Sequence, residues 1–475
     1  RDLHDNLKGP LQKHYLYTEE ENPDDVLEAL LCNKKLFSEL YPHQRDGILF
    51  LYNAYKNGKS KVEGSRNGVI LADEMGLGKS IQVILFLHFM IMNTHKWKNA
   101  LLVMPAGLLS DWKGKLENWT PDMTVLIYQN SEKELLRKLR RLQKTGGILL
   151  VSYNMFIKHH QTHTTYKGMP FIWDCLVFDE AHKLKNTATK NHKVAASISA
   201  GFHILMTGTP IQNNLKEYWS LVSLISDTCL LGTYKTFKNN FENPITKGMA
   251  ADSGPEERAL GIELQKALEK ITEPILLRRR KDQIQDPSDH TPSEAGLCLP
   301  KKHEYVVWIK LSPEQEVAYR NIVDESPVLT FQSIHYLIPV CTHPRFNTMA
   351  QKARDVHLAE SGKLAFMLAL LETLTANGSF VLVFSNYIKI LDIIQKALTQ
   401  TPWGRNAFLR IDGQNPNQRD KIVNRFQKKR RENILLLTTS VGAEGLTLTA
   451  ADMDLVTYQK PTLQKTLAQT NLCLI

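Results

Sequence analysis

Six short apolar runs recur through the first half of the chain, and they constrain its fold more than any other feature. Most of the intervals between them carry helical patterns, such as the one over residues 132–143. Runs this short and this continuously apolar are typical of strands buried on both faces of a sheet, and alternation with helices predicts an α/β doubly wound parallel sheet. The predicted strands are 69–72, 101–104, 125–128, 148–152, 175–178 and 204–206.

A second α/β pattern begins near residue 361, after a stretch dominated by helical patterns such as 259–271 and 313–323. The predicted helices are 364–375, 388–398 and 417–426, and the predicted strands are 380–384, 408–411, 434–437 and 455–458. A chain of 475 residues has room for about three domains. The predicted organisation is a leader (1–35), a first lobe (36–226), a helical protrusion and linker (227–360) and a second lobe (361–475).

The first predicted strand leads into a segment typical of a phosphate-binding loop. Gly76 and Gly78 lie in the turn, and Lys79 and Ser80 open an apolar periodic segment that predicts a helix. Such glycines let backbone N–H groups close around phosphate oxygens, and the helix N-terminus adds its positive dipole end. The lysine of such a loop reaches the β- and γ-phosphates, and the serine hydroxyl binds Mg²⁺. A plain glycine turn before a helix is the alternative, because Asp73 stands where the usual pattern has glycine.

Two other predicted strand ends carry polar side chains. Asp179 and Glu180 close one strand, with His182 two residues further on. An acidic residue at a strand end beside a phosphate loop can hold Mg²⁺, and the next carboxylate can activate an attacking water. A helix N-cap is the alternative explanation for Asp179. The run 207–214, which reads TGTPIQNN, follows another strand and would face the same cleft.

Charge and cysteine usage narrow the class of protein. The net charge of +10 and the pI near 9.1 suggest a polyanionic partner, but charge alone does not separate DNA from RNA or an acidic membrane. The six cysteines include no CxxC pair, which argues against a zinc site or a disulfide framework and favours a reducing, intracellular setting. No uninterrupted apolar stretch is long enough to span a bilayer, so no membrane partner is expected. Because the chain opens with Arg1, it is expected to be a fragment or a processed form.

Residues 73–80 (DEMGLGKS), 179–182 (DEAH) and 207–214 resemble motifs of the SWI/SNF-type helicase-like ATPases of superfamily two, and the resemblance covers about residues 36–452. Aspartate is usual at the first phosphate-loop position of that family, so Asp73 supports the phosphate loop. The resemblance implies two RecA-like doubly wound parallel-sheet lobes with a helical insertion. The second lobe is expected to be incomplete at its C-terminus, where the sequence departs from the family. It also implies a DNA-dependent ATPase that uses ATP and Mg²⁺. Such a motor would move on double-stranded DNA or chromatin without separating strands, in the nucleus or on chromosomes.

The resemblance also implies roles for individual residues of the ATP site. Gln44, in an upstream glutamine motif, would contact adenine. Mg²⁺ would be held by Ser80 and Asp179. The implied nucleotide-binding residues are Gln44, Asp73, Glu74, Met75, Gly76, Leu77, Gly78, Lys79 and Ser80. The implied catalytic set is Lys79, Asp179, Glu180, His182 and Gln212, of which His182 and Gln212 would couple hydrolysis to the cleft between the lobes.

Contacts with the DNA backbone are implied in both lobes. The implied residues are Pro105, Trp112, Ser152, Tyr153, Thr207, Gly208, Thr438 and Gly442. The last two belong to a glycine-rich motif, which departs from the family pattern at Ala443 and Glu444. The basic run 278–281 is expected to make interlobe or DNA-phosphate contacts rather than to form a merely solvated face. Residues 231–233 and 241–246 resemble one particular member of the family.

The C-terminal end departs from the family most. A family member carries two arginines on a helix near this end, one of which reaches the γ-phosphate, but here no arginine follows Arg431. An arginine finger contributes about 10³ to 10⁵ in rate. Lys460 and Lys465 lack its bidentate fork. We therefore expect a truncation, a splice variant or a shifted reading frame after about Asp452, and ATP binding with weak or absent turnover.

Two other functions stay open from the sequence. One is an ATP-gated DNA- or chromatin-binding module without catalysis, and the other is an RNA helicase of the same superfamily. The intact set Lys79, Ser80, Asp179 and Glu180 argues that the lineage hydrolyses ATP. The helical insertion and the TGTPIQNN run speak against the RNA helicase. Protein partners and the biological pathway are not predicted.

Overall fold

The structure is a computed structural model. It describes residues 39–58, 66–93, 97–129, 131–166, 169–208, 214–226, 230–284, 303, 305–324, 331–344, 360–413, 418–428, 431–439, 448–456 and 472–474. The chain divides into two compact units, Arg1–Leu299 and Pro300–Ile475. Each unit contains its own parallel sheet.

The first unit is built on a seven-stranded, wholly parallel sheet in the order β3-β4-β2-β7-β8-β1-β9. Its strands are β1 (Gly68–Leu71), β2 (Asn99–Met104), β3 (Val125–Tyr128), β4 (Gly147–Ser152), β7 (Trp173–Phe178), β8 (Ala200–Met206) and β9 (Leu276–Leu277). A small antiparallel ribbon pairs β5 (Thr165–Tyr166) with β6 (Met169–Pro170). All residues of β1, β2 and β4 are buried, as expected for strands covered on both faces.

The apolar runs form strands because each supplies two hydrophobic faces at once. Successive side chains of a strand point to opposite faces of the sheet. Ile70 therefore packs into one hydrophobic cluster, while its neighbours Val69 and Leu71 pack into the other. Helices cover both clusters, and the result is a doubly wound sheet.

The helices of this unit are α1 (Pro42–Gly58), α2 (Lys79–His88), α3 (Leu109–Trp119), α4 (Glu132–Thr145), α5 (Tyr153–Lys158), α6 (His160–Thr164), α7 (Lys190–Ser197), α8 (Leu215–Ile225), α9 (Tyr234–Phe237), α10 (Asn243–Gly248), α11 (Pro255–Thr272) and α12 (Lys281–Ile284). Short 3-10 turns occupy Ala106–Leu108, Ala181–Leu184 and Glu273–Ile275, and π-helical turns occupy Phe89–Asn93 and Lys238–Glu242. After α11 the chain returns to the sheet as β9, which pairs with β1. This return places residues 278–281 beside the loop that follows β1.

The second unit contains a four-stranded parallel sheet in the order β12-β13-β11-β14. Its strands are β11 (Val381–Ser385), β12 (Phe408–Ile411), β13 (Ile434–Thr438) and β14 (Met453–Val456), and a separate antiparallel pair joins β10 (Trp308–Lys310) to β15 (Leu472–Leu474). Its helices are α13 (Pro313–Asp324), α14 (Phe331–Val340), α15 (Gly362–Ala376), α16 (Ile388–Gln400) and α17 (Arg419–Gln427). Val383 and Leu382 lie in separate clusters, so this sheet is also doubly wound.

The predicted α/β fold class is confirmed: the chain contains two doubly wound parallel sheets, and several helices separate them in the sequence. The predicted boundaries at 36, 227 and 361 stay a prediction, since the two compact units meet at residues 299 and 300. In the described part of the chain, no helix combines the length and the apolar character needed to cross a membrane.

Candidate nucleotide-binding site

The loop after β1 has the backbone that a phosphate-binding loop requires. Gly76 has φ 91° and Gly78 has φ 82°, in the left-handed region that favours glycine. Gly78 directly precedes α2, and a Cβ atom on it would lie 2.2 Å from Nε2 of Gln44. Glycine is therefore needed at Gly78 for its dihedral angle and for the close approach of a second segment.

Lys79, the first residue of α2, lies where acidic side chains converge. Its ammonium group donates to the main-chain carbonyls of Asp73 (2.6 Å) and Glu74 (3.4 Å). Burial lowers the pKa of this ammonium, and the negative charges of Asp73, Asp179, Glu180 and Glu74 oppose that shift. The structure therefore brings the predicted phosphate-loop lysine and the predicted acidic pair into one site.

Asp179 follows β7 with its carboxylate in a fixed orientation. Trp112 Nε1 donates to Oδ2 (2.8 Å), and the main-chain N–H of Glu180 donates to Oδ1 (2.9 Å). Burial is the main cause that raises the pKa of Asp179, and the Trp112 hydrogen bond opposes it. Tyr153 adds a donor from its hydroxyl to the Asp179 carbonyl (2.9 Å).

Glu180 adopts an unusual backbone conformation. Its φ of 53° makes it the one non-glycine residue with positive φ among the described residues. Such a conformation costs about 1–3 kcal/mol and persists where surrounding contacts impose it, often at functional sites. Its carboxylate Oε2 lies 3.1 Å from Nδ1 of His182, so the side chains of Glu180 and His182 are in contact.

The predicted glutamine motif contacts the phosphate loop directly. Gln44 and His43 are buried at the start of α1. Gln44 Oε1 accepts from the main-chain N–H of Tyr41 (3.2 Å), and His43 Nε2 lies 3.0 Å from the Leu77 carbonyl. Burial is the main cause that lowers the pKa of His43. The start of α1 therefore forms one wall of the loop.

Asp73 does not present its carboxylate to the loop interior, although the sequence predicted it among the nucleotide contacts. The carboxylate is fully buried and paired with Arg279, whose Nη2 lies 2.5 Å from Oδ2. Among the other predicted loop contacts, Leu77 is buried while Glu74 and Met75 are exposed. The main chain of Asp73 still takes part through its bond from Lys79.

The structure corrects the role expected for Arg279. As part of the basic run, this residue was expected to contact DNA phosphates or the other lobe. Arg279 is instead only 4% exposed and neutralises the buried Asp73. No sequence signal connected residues so far apart in the chain, because the link depends on a strand of two residues, β9.

Most of the residues predicted to contact DNA are buried in this structure. Trp112 lies on the apolar face of α3 and Tyr153 lies against β7, where both hold Asp179. Their polar side-chain atoms are therefore engaged at Asp179, and their predicted DNA contacts stay a prediction. Pro105, Ser152, Thr207 and Thr438 are also buried, and Gly208 is half-buried. Gln212 and Gly442 lie outside the described residues.

The donor set of the site fits Mg²⁺ shared with phosphate. Mg²⁺ keeps several waters and is usually bound through one or two protein oxygens together with substrate phosphates. Ser80 supplies a half-buried hydroxyl beside Lys79, and Asp179 supplies an oriented carboxylate. Within the described residues, no group of three or more His, Cys, Asp or Glu side chains could hold a metal ion alone. Ser80 and Asp179 would therefore fit an ion that is also bound by phosphate.

Asp46 on α1 gives a pH-dependent prediction. Burial raises its pKa to about 6; Arg279 and Arg45 oppose the shift and Asp73 adds to it. Between about pH 4 and pH 6 the folded state therefore keeps a proton on Asp46 that the unfolded state has released. The stability that this proton confers is fully present below about pH 4 and is lost as the pH rises through 6. We expect Asp46→Asn to stabilise the chain at pH 7.5 by at most about 3 kcal/mol and to have little effect at pH 4.

Thermal unfolding at the two pH values measures this effect. The control is Asp252→Asn, which removes an exposed carboxylate and should leave both midpoints unchanged. An equal gain at pH 4 and pH 7.5 for Asp46→Asn would show that folding does not raise the pKa of this carboxyl.

Comparisons with known proteins agree with this geometry. The SNF2-related domain matches residues 43–369, and the helicase conserved C-terminal domain matches residues 362–469. The chain is 36% identical to the DNA excision repair protein ERCC-6-like of Mus musculus. The alignment covers 91% of this chain and 39% of that protein. It is 31% identical to the DNA repair and recombination protein RAD54-like of Gallus gallus, in an alignment that covers 90% of this chain and 61% of that protein. A SWI2/SNF2 ATPase core from Sulfolobus solfataricus, solved in complex with dsDNA, superposes with a TM-score of 0.46 and 22% sequence identity. The superposition covers 91% of this chain and 85% of that chain.

The chain belongs to the SNF2-related family, the SWI/SNF-type helicase-like ATPases. It carries both parts of the helicase-like ATPase core, and the C-terminal match runs past residue 452, where the sequence resemblance was expected to end. The chain spans about two fifths of the length of the ERCC-6-like relatives that it matches.

Proposed function

We propose that this chain is the ATPase core of a motor that couples ATP hydrolysis to movement on double-stranded DNA without separating the strands. The observation that carries the proposal is the convergence of Lys79, Asp179 and Glu180 at the carboxyl ends of β1 and β7. Ligands of open α/β sheets bind at this end of the strands. Lys79 would bind the β- and γ-phosphates, and Gln44 would contact adenine.

Each group of the site has a task in hydrolysis. Ser80 and Asp179 would hold Mg²⁺, which neutralises phosphate charge when it is bound. Glu180 would accept a proton from the attacking water, and its position next to Lys79 and His182 supports that role. His182 and Gln212 would couple the site to the second unit.

Double-stranded DNA is the proposed polymer. Two relatives are named as DNA repair proteins, and the net charge of +10 suits a polyanion. Contacts with phosphates would make binding insensitive to base sequence. We place the protein in the nucleus or on chromosomes on the same grounds. Residues 231–233 and 241–246 further resemble the polo-kinase-interacting checkpoint helicase, and this finer assignment also stays a proposal.

The choice of DNA over RNA has a direct test. We expect duplex DNA to stimulate ATP hydrolysis by this chain more than duplex RNA of the same sequence does. We also expect DNA affinity to fall by at least about tenfold between 50 and 200 mM salt, because bound phosphates release counterions. Stronger stimulation by RNA would support the RNA helicase alternative.

A second candidate function is an ATP-gated DNA- or chromatin-binding module that turns over little ATP. It is favoured by the absence of any arginine after Arg431. An arginine finger contributes about 10³ to 10⁵ in rate, so its loss would leave binding intact and turnover weak. Brisk DNA-stimulated hydrolysis by the 475-residue chain would exclude this candidate.

A further inference from the structure

Arg279 makes an unusually complete set of contacts for a residue far in sequence from the phosphate loop. Its side chain is 5% exposed and that of its partner Asp73 is fully buried. Arg279 donates to Asp73 through Nη2 (2.5 Å to Oδ2), Nε (3.1 Å to Oδ1) and the main-chain N–H (3.0 Å to Oδ1). A fork of this kind fixes both the position and the orientation of a carboxylate.

The same guanidinium joins the elements that surround the loop. Nη1 donates to the His43 carbonyl at the start of α1, and Nη2 also approaches Gln82 Oε1 on α2 (3.4 Å). Gln82 Nε2 donates in turn to the Leu77 carbonyl (3.3 Å). One arginine therefore connects the glutamine motif, the first residue of the loop and the helix that follows it.

The main chain around Arg279 runs along the start of the loop. The N–H of Ala72 donates to the Leu277 carbonyl (2.7 Å), and the N–H of Glu74 donates to the Arg279 carbonyl (2.9 Å). The N–H of Lys281 donates to the Glu74 carboxylate (2.9 Å). These bonds extend the pairing of β1 with β9 beyond the sheet, so Leu277, Arg279 and Lys281 brace residues 72–74.

We propose that Arg279 is a positioning residue that holds the phosphate loop in its ATP-binding conformation; this inference rests on the proposed ATP site. The ammonium of Lys79 is oriented by the carbonyls of Asp73 and Glu74. Arg279 holds both of those residues, the first through its side chain and the second through its carbonyl. The direction in which Lys79 points is therefore set through Arg279.

Removal of the guanidinium leaves the Asp73 carboxylate buried without its counter-charge. An uncompensated buried charge is strongly unfavourable, so the carboxylate takes up a proton or moves toward water. Either change shifts the carbonyl that orients Lys79. The expected consequence is weaker ATP binding by a chain that remains folded.

The test is the ATP affinity of the full chain at equilibrium without DNA, for Arg279→Gln and Arg280→Gln. The two variants carry the same substitution at adjacent positions, but the Arg280 side chain is exposed. We expect Arg279→Gln to weaken ATP binding at least about tenfold, as for residues coupled in one charge network, and Arg280→Gln to stay within about twofold of the wild type. Equal affinities of the two variants would overturn the inference.

A double variant separates positioning from general stability. Asp73→Asn and Arg279→Gln are expected to weaken ATP binding individually, and their combination should bind no more weakly than either alone, because both remove one interaction. Losses that multiply in the double variant would show independent roles and contradict the inference. A merely structural role would lower the unfolding temperature of Arg279→Gln while its folded fraction kept the wild-type affinity.

Two further controls complete the test. If Arg279→Gln does not fold, Arg279→Lys keeps the charge without the fork; weaker ATP binding is expected of it, and unchanged affinity would overturn the inference. Lys79→Ala separates this inference from the proposed function. If the wild type binds no ATP, or Lys79→Ala binds it equally well, the proposed function fails. If Lys79→Ala loses ATP binding while the Arg279 variants keep the wild-type affinity, the ATP site stands and only the role of Arg279 fails.

Discussion

Glu180→Gln is expected to lower the rate of ATP hydrolysis in the presence of duplex DNA by about 10² to 10⁴, the usual contribution of a general base. The amide keeps the size of the side chain but cannot accept a proton from the attacking water. The backbone of Glu180 is held by its neighbours, since Asp179 accepts from its N–H and Tyr153 donates to the carbonyl of Asp179. ATP affinity should stay within about threefold of the wild type, because a general base acts on the water and not on the phosphates.

Single-turnover hydrolysis with enzyme in excess over ATP measures this loss even if turnover is slow. The matched control is Glu117→Gln on α3, an exposed carboxylate 3.4 Å from Lys113. This control should hydrolyse ATP at the wild-type rate. A Glu180→Gln variant as active as Glu117→Gln would remove Glu180 from the reaction.

Lys79→Ala should weaken ATP binding by about 100-fold or more, since a charge-assisted hydrogen bond to phosphate is lost. The negative charges of Asp179 and Glu180 lie near the ammonium and would remain without it. The site would then repel a nucleotide that carries several negative charges. The loss should therefore exceed that of one hydrogen bond.

Displacement of a fluorescent ATP analogue measures this affinity. Lys113→Ala is the control, because Lys113 is an exposed lysine whose partner in the structure is Glu117. ATP affinity that drops equally in both variants would point to general charge loss and not to a site at Lys79.

The fold was predictable from the sequence wherever burial dictates the pattern. The strands predicted over 148–152 and 434–437 are observed at Gly147–Ser152 and Ile434–Thr438, where every residue is buried. The strand predicted over 455–458 is observed at Met453–Val456. Helices such as the one over Glu132–Thr145 were predicted from apolar side chains at helical spacing.

The sequence could not reveal the part of the site that depends on long-range contact. β9 has two residues, too few for any periodicity, yet it places Arg279 against Asp73. A run of basic residues predicts exposed side chains. Arg279 is buried because the chain returns to the edge of the sheet as β9.

The predicted DNA contacts depend on the direction of each side chain, which a motif does not give. Trp112 and Tyr153 occupy positions that resemble DNA-contacting motifs, but each has its polar atom directed at Asp179. A motif match identifies a position in the chain, whereas the direction of the side chain depends on the packing of α3 and β7. The structure places Gln44 against Gly78 and Glu180 near Lys79, and their roles toward a nucleotide stay a prediction.

The most direct test of this account is a calorimetric titration of the 475-residue chain with ATP, in Mg²⁺ and in a chelator. We expect saturable binding of one ATP per chain in Mg²⁺, and weaker binding in the chelator because Ser80 and Asp179 would then act without the ion. No saturable binding in Mg²⁺, or binding equally strong in Lys79→Ala, would contradict the assignment of the ATP site to the loop after β1.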